Sequence, residues 1–268
     1  MVDQSGSMSN ESVANGKPLA VIAADSINIV LSEMIGIATK PILDDDEEVR
    51  DYQKVVVIGY GAEENGSANV LLDKYLSQID NEFQKEMTDT IAGKLKIYNV
   101  IKPVAGYVTP MASAFVLAKL KIDEWIKDGH NSPEDPSPII INITDGAPTD
   151  NEGYVTEESI AETYEKAQAV MNISIPDGSP RIFNVMISAS DGSEIRFPDN
   201  PDALEGDMFA QFLFLISSTV TDDLKEMILN LGLGETNANS KVLLMNVNNP
   251  NVLVNILRVG TKIKAKMR

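Results

Sequence analysis

Four short runs constrain this chain most: KVVVIGYG from Lys54, PIIINITDG from Pro138, RIFNVMIS from Arg181 and KVLLMNV from Lys241. Each is a stretch of β-branched and aliphatic residues with too few polar positions to form a wet face, the mark of a strand covered on both sides. Between them lie segments whose apolar residues recur at helical spacing. Leu19, Ile22, Ala23, Ile27, Val30, Leu31, Met34 and Ile35 form one such face, opened by Pro18 where a first helical turn suits proline. Ala114, Leu117, Ala118, Leu120, Ile122, Trp125 and Ile126 form a second, after Thr109-Pro110. Further helices are expected from Glu157 to Met171, from about Met208 to Ser218, and from about Asn251 to Val259. This alternation predicts an α/β fold, a doubly wound and mostly parallel sheet flanked by helices, as one domain over residues 1–268. Ligands of such a sheet bind beyond the carboxyl ends of its strands, so the loops that follow strands should carry the function.

Three stretches fit this pattern less well. The first strand should precede Asp3, yet Met1 and Val2 alone stand there, where about five residues are usual. That strand is expected to be short, or to begin further upstream, and to hold Asp3 loosely. Residues 62–95 are polar and mixed, and read as peripheral, with a helix around Asp80 to Met87. The acidic run Asp44 to Glu48 reads as a solvated loop.

Composition removes several function classes. A formal net charge of -18 and a pI near 4.4 oppose binding to phosphate backbones or anionic lipid, which needs clustered Lys and Arg. Neither nucleic acid nor membrane is an expected partner, and the oligomeric state is left open. With no cysteine there are no disulfides, thiolate metal sites or cysteine nucleophiles, and the lone His130 leaves little for imidazole chemistry. No run approaches the roughly 18 apolar residues of a membrane span. The opening MVDQSGSM lacks the basic and apolar regions of a signal peptide, so a cytoplasmic location is expected.

Three oxygen-rich segments stand at the ends of expected strands: Asp3-Gln4-Ser5-Gly6-Ser7, Val108-Thr109-Pro110 and Thr144-Asp145-Gly146. In a doubly wound sheet such loops can converge. The pattern D-x-S-x-S, a distant Thr before a helix and a strand-terminal T-D-G resembles the metal-ion-dependent adhesion site of von Willebrand factor A domains. The resemblance implies that Ser5, Ser7 and Thr109 are hydroxyl ligands of one divalent cation, with Asp3 and Asp145 binding it directly or through water. It implies Mg²⁺, with Mn²⁺ or Ca²⁺ as substitutes, and a protein partner that supplies an Asp or Glu carboxylate; no catalysis is required. PIIINITDGAPTD and FLFLISSTV are also similar to bacterial single-domain proteins of the tellurium-resistance-associated branch, which implies a cytoplasmic adaptor in a stress-response or defence-type assembly. The chemistry is sensible by itself, because Mg²⁺ prefers oxygen ligands and suits one or two carboxylates. Neutral hydroxyls leave its charge incompletely neutralised, and the amino end of the first helix is expected to add positive potential.

Blander readings compete with this one. Asp and Ser are preferred helix caps, so D-x-S-x-S could be only that. A calcium-binding EF-hand loop wants Gly sixth and Glu twelfth, where Met8 and Ala14 stand. An aspartyl-phosphatase reading of Asp3 expects D-x-D, and Ser5 supplies no general acid. The glycines of Gly59-Tyr60-Gly61 are wrongly spaced for a dinucleotide fingerprint. Asp150 reads as a turn residue, His130 as an exposed loop residue and Trp125 as core. A metal-dependent hydrolase or phosphatase using the same ion is the second function class, although the sequence offers no obvious base beside the site.

Overall fold

The computed structural model describes residues 1–41, 47–90, 93–204 and 206–261. Its first half runs β1 (Val2–Asp3), α1 (Leu19–Ala38), β2 (Thr39–Pro41), β3 (Glu47–Val49), β4 (Lys54–Tyr60), β5 (Ala68–Tyr75), α2 (Leu76–Glu82), β6 (Lys85–Thr90) and β7 (Gly93–Tyr98). There follow α3 (Met111–Lys127), β8 (Ile139–Thr144), α4 (Glu157–Met171), β9 (Arg181–Ile187), β10 (Ile195–Arg196), α5 (Met208–Leu215), α6 (Asp222–Asn230), β11 (Leu243–Val247) and α7 (Pro250–Thr261).

The four β-branched runs become β4, β8, β9 and β11, and with β1 they form a parallel block. Antiparallel β5 and β10 close the two edges, giving the order β10-β11-β9-β8-β1-β4-β5. Successive side chains along a strand point to opposite faces, so neighbours feed two cores. Val57, Ile143, Val185 and Leu244 pack with α1, α2, α6 and α7 on one face. Ile58, Tyr60, Ile140, Ile182 and Leu243 pack with α3, α4 and α5 on the other. The doubly wound α/β architecture read from the sequence is therefore the one observed.

The region read as peripheral holds more structure than expected. Residues 68–75 form the antiparallel edge strand β5, and the helix expected around Asp80 to Met87 is α2, which starts at Leu76 and ends at Glu82. Gln78 explains the earlier start, because its Oε1 accepts the Tyr75 N–H at 2.9 Å and closes the first turn. Residues 85–90 instead pair with β7 as a hairpin. Of the acidic run Asp44 to Glu48, Asp44, Asp45 and Asp46 lie outside the described residues, while Glu47 and Glu48 belong to β3. Trp125 is half-buried rather than core, stacked on His130 with ring centroids 5.0 Å apart.

By length and composition α1 reaches what a membrane span needs, with 20 residues and a mean hydropathy of 1.6. Its apolarity has another cause in this fold: Leu19, Ile22, Ala23, Leu31 and Ile35 are buried against the sheet and α7.

β1 has the expected brevity without the expected looseness. Val2 pairs with Gly59 on one side and Ile143 on the other, and Asp3 pairs with Tyr60. The ladder continues past the strand, since Gln4 N–H donates to Tyr60 O at 2.7 Å and Gln4 O accepts Gly106 N–H at 2.7 Å.

Candidate metal centre

From β1 the chain crosses to β4 on one side and later returns through α3 to β8 on the other, so the strand order reverses between β1 and β8. The crevice at the carboxyl ends of those two strands is where a doubly wound sheet takes its ligands. Asp3 ends β1, Thr144 ends β8, and Asp145 follows it.

Four of the five expected residues meet there in one hydrogen-bonded group. The Asp3 carboxylate is buried, at 1% exposure. Its Oδ1 accepts the Ser5 N–H at 2.8 Å and its Oδ2 accepts the Thr144 hydroxyl at 2.8 Å. Ser7 Oγ donates to Asp145 Oδ1 at 2.9 Å and lies 3.1 Å from Ser5 Oγ. The helix-cap reading of Ser5 fails, because the short 3-10 turn Gly6–Ser9 that follows receives no side-chain cap bond from it. The first helix begins only at Leu19, beyond residues 10–18, so the positive potential expected from its amino end does not come from the turn after Ser5.

Thr109 is buried in the loop before α3, and among the described residues no hydrogen bond joins its hydroxyl to the other four. Its loop is nevertheless clamped to theirs through the backbone. Gly6 N–H donates to Tyr107 O at 2.9 Å, Thr109 N–H donates to Thr149 Oγ1 at 2.9 Å, and Thr149 N–H returns to Thr109 O at 3.0 Å. Two glycines make this approach possible. Gly61 has φ +96°, and a Cβ there would stand 2.3 Å from Val108 O and 2.9 Å from Ser5 N. A Cβ on Gly106 would stand 2.6 Å from both Gly61 O and Ala62 O. These loops therefore pack main chain on main chain.

Charge is the unresolved quantity of the cluster. Burial, and then the Asp145 charge, push the Asp3 carboxyl up to about 7. Burial also raises the Asp145 carboxyl above its ordinary value, against the opposing hydrogen bond from Ser7. Among the described residues neither carboxylate has a salt-bridge partner. Nor do three or more His, Asp or Glu side chains come together among them in a way that could hold a metal ion. Two carboxylates and three hydroxyls, all oxygen, are a donor set that fits Mg²⁺, a hard ion held by one or two carboxylates with water completing its shell.

Two further residues have roles that the motif left open. Thr144 orients Asp3 from the second position of the I-T-D-G segment, a threonine whose place before Asp145 was the only signal for it. Asp150 is a turn residue as read, its Oδ1 accepting the Glu152 and Tyr154 N–H groups at 2.9 Å each. No family model and no curated protein matches this chain.

Proposed function

We propose that Asp3, Ser5, Ser7, Thr109 and Asp145 hold one Mg²⁺ at the switch point of the sheet, and that this ion grips an Asp or Glu carboxylate of a protein partner. The observation that carries the reading is the pair of carboxyl groups, Asp3 and Asp145, gathered with serine hydroxyls at the strand ends with no salt-bridge partner among the described residues. On this reading the chain is a von Willebrand factor A-like binding module of the tellurium-resistance-associated kind. Its place is then the cytoplasm, as an adaptor in a stress-response or defence-type assembly.

When bound, the ion supplies a Lewis-acidic position open to an outside oxygen. The protein's own side chains do the rest. Thr144 keeps one Asp3 oxygen turned into the cluster and Ser5 N–H fixes the other. The close packing at Gly61 keeps the loop that carries Thr109 against the backbone of Ser5. No imidazole stands beside the cluster: the sole histidine, His130, lies in the connection that precedes β8, at the opposite end of the sheet.

Immobilised protein should capture a partner from a bacterial lysate in Mg²⁺ and release it to EDTA, with Ser5→Ala and Asp145→Ala capturing none. Metal-dependent phosphatase turnover that disappears in Ser5→Ala would instead assign the ion to hydrolysis.

A further inference from the structure

The loops around the cluster carry mostly negative charge. The β4–β5 turn bears exposed Glu63 and Glu64, and the β8–α4 loop bears exposed Glu152. Those loops touch, since a Cβ on Gly66 would stand 2.7 Å from Asn151 Oδ1 and one on Gly153 would stand 3.4 Å from Val108 Cγ1. On the other side of the site, exposed Glu11 and Asp191 belong to loops joined by the Val13 N–H bond to Ala189 O, 3.0 Å long. The exposed bases on these loops are Lys17, paired with Asp25 at 3.2 Å, and Lys102. The same surface exposes two aromatic faces, Tyr107 at 57% and Tyr154 at 65%.

We infer that the occupant of this site is a carboxylate presented by a basic protein surface, an Asp or Glu with Lys or Arg beside it. The inference rests on the metal reading above and adds the chemistry of the partner. Asp3 and Asp145 formally cancel a divalent cation, so attraction of an incoming carboxylate to the ion acts only at contact distance. Beyond it, within a Debye length of about 8 Å at physiological salt, the acidic rim and a chain of net charge -18 repel a bare anion. Lys or Arg flanking the carboxylate reverses that sign and finds both the exposed glutamates and the tyrosine faces, which attract cations. Partners with a neutral or acidic surface are disfavoured by the same rim.

Fluorescence anisotropy with three labelled peptides tests this: one Glu flanked on each side by two Lys, the same peptide with Gln for Glu, and the Glu peptide with Ser for every Lys. In Mg²⁺ at about 20 mM NaCl the Lys-flanked Glu peptide should bind about tenfold tighter than the Ser-flanked one, and the advantage should shrink below about threefold at about 500 mM. The combined variant Glu63→Gln, Glu64→Gln, Glu152→Gln should lose most of that advantage while its Mg²⁺ titration stays like wild type. Equal, Mg²⁺-dependent binding of the Lys- and Ser-flanked peptides overturns the inference and leaves the metal reading standing. So does a protein that takes up Mg²⁺ but binds neither peptide. Binding that survives both EDTA and the change to Gln overturns the inference and the metal reading together.

Discussion

Two buried polar groups lie side by side in this sheet, and they are built on opposite plans. Inside the sheet, Tyr60 donates to Asn142 Oδ1 at 2.8 Å, Asn142 Nδ2 to Asn184 Oδ1 at 3.1 Å, Asn184 Nδ2 to Ser217 Oγ at 2.9 Å, and Ser217 to Leu213 O at 2.7 Å. All four residues are fully buried, and each group in the chain meets its complement. At the strand ends, Asp3, Ser5, Ser7, Asp145 and Thr144 are joined by hydrogen bonds too, yet among the described residues neither carboxyl has a positive side chain opposite, and burial raises both. The inner group completes its own hydrogen bonds. On the reading proposed above, the outer group is completed by a cation from outside.

The sharpest way to separate the two is to damage the inner one. Asn184→Leu removes one buried hydrogen bond from the Asn142 amide and one from the Ser217 hydroxyl, and should cost about 3 kcal/mol of stability in urea unfolding, the same with and without Mg²⁺. A loss that Mg²⁺ repairs would mean the two groups are one system. Thr144→Val removes the hydroxyl that orients Asp3 while keeping the side chain's shape. It should weaken Mg²⁺ binding about tenfold, or about 1.4 kcal/mol, in a calorimetric titration. An unchanged affinity would remove Thr144 from the site.

A third effect is a pH dependence of the metal-free protein. Asp3 titrates near 7 in the fold against an ordinary value of 3.8, so the folded chain binds the extra proton between those limits. The stability associated with the protonated group is then complete below about pH 4 and is lost as pH rises through about 7. Measured against Asp3→Asn, which cannot ionise there, the wild-type Tm without metal should fall progressively from about pH 4 to about pH 8. A difference that grows in the other direction contradicts the burial of an unneutralised charge.

Sequence reading succeeded where one kind of residue dominated. β4, β8, β9 and β11 are legible because strands covered on both faces leave continuous apolar runs, and α4 runs from Glu157 to Met171 as read. It missed β5, whose burial is mixed along ANVLLDKY, so neither alternation nor a continuous run marks it. The hairpins hidden in the polar stretches escaped for the same reason, whereas the short α6 was overlooked although Leu224, Met227 and Ile228 stand at helical spacing. At the site, Asp3, Ser5, Ser7 and Asp145 came from a motif and do converge. The roles of Gly61 and Gly106 could not be read in advance, because a glycine needed for backbone contact looks like any loop glycine until its neighbour is known. The expected looseness of Asp3 was wrong for a related reason: a two-residue strand flanked on both sides borrows its rigidity from β4 and β8 rather than from its own length.

The claim that the outer group is completed by a cation is tested most directly by titrating Mg²⁺ into EDTA-stripped protein and following both heat and Tm. Wild type should bind one ion per chain and gain stability, about 2.7 kcal/mol at a hundredfold excess over Kd, while Asp145→Ala should do neither. Wild-type protein that shows no heat and no Tm shift at about 10 mM Mg²⁺ would contradict the account.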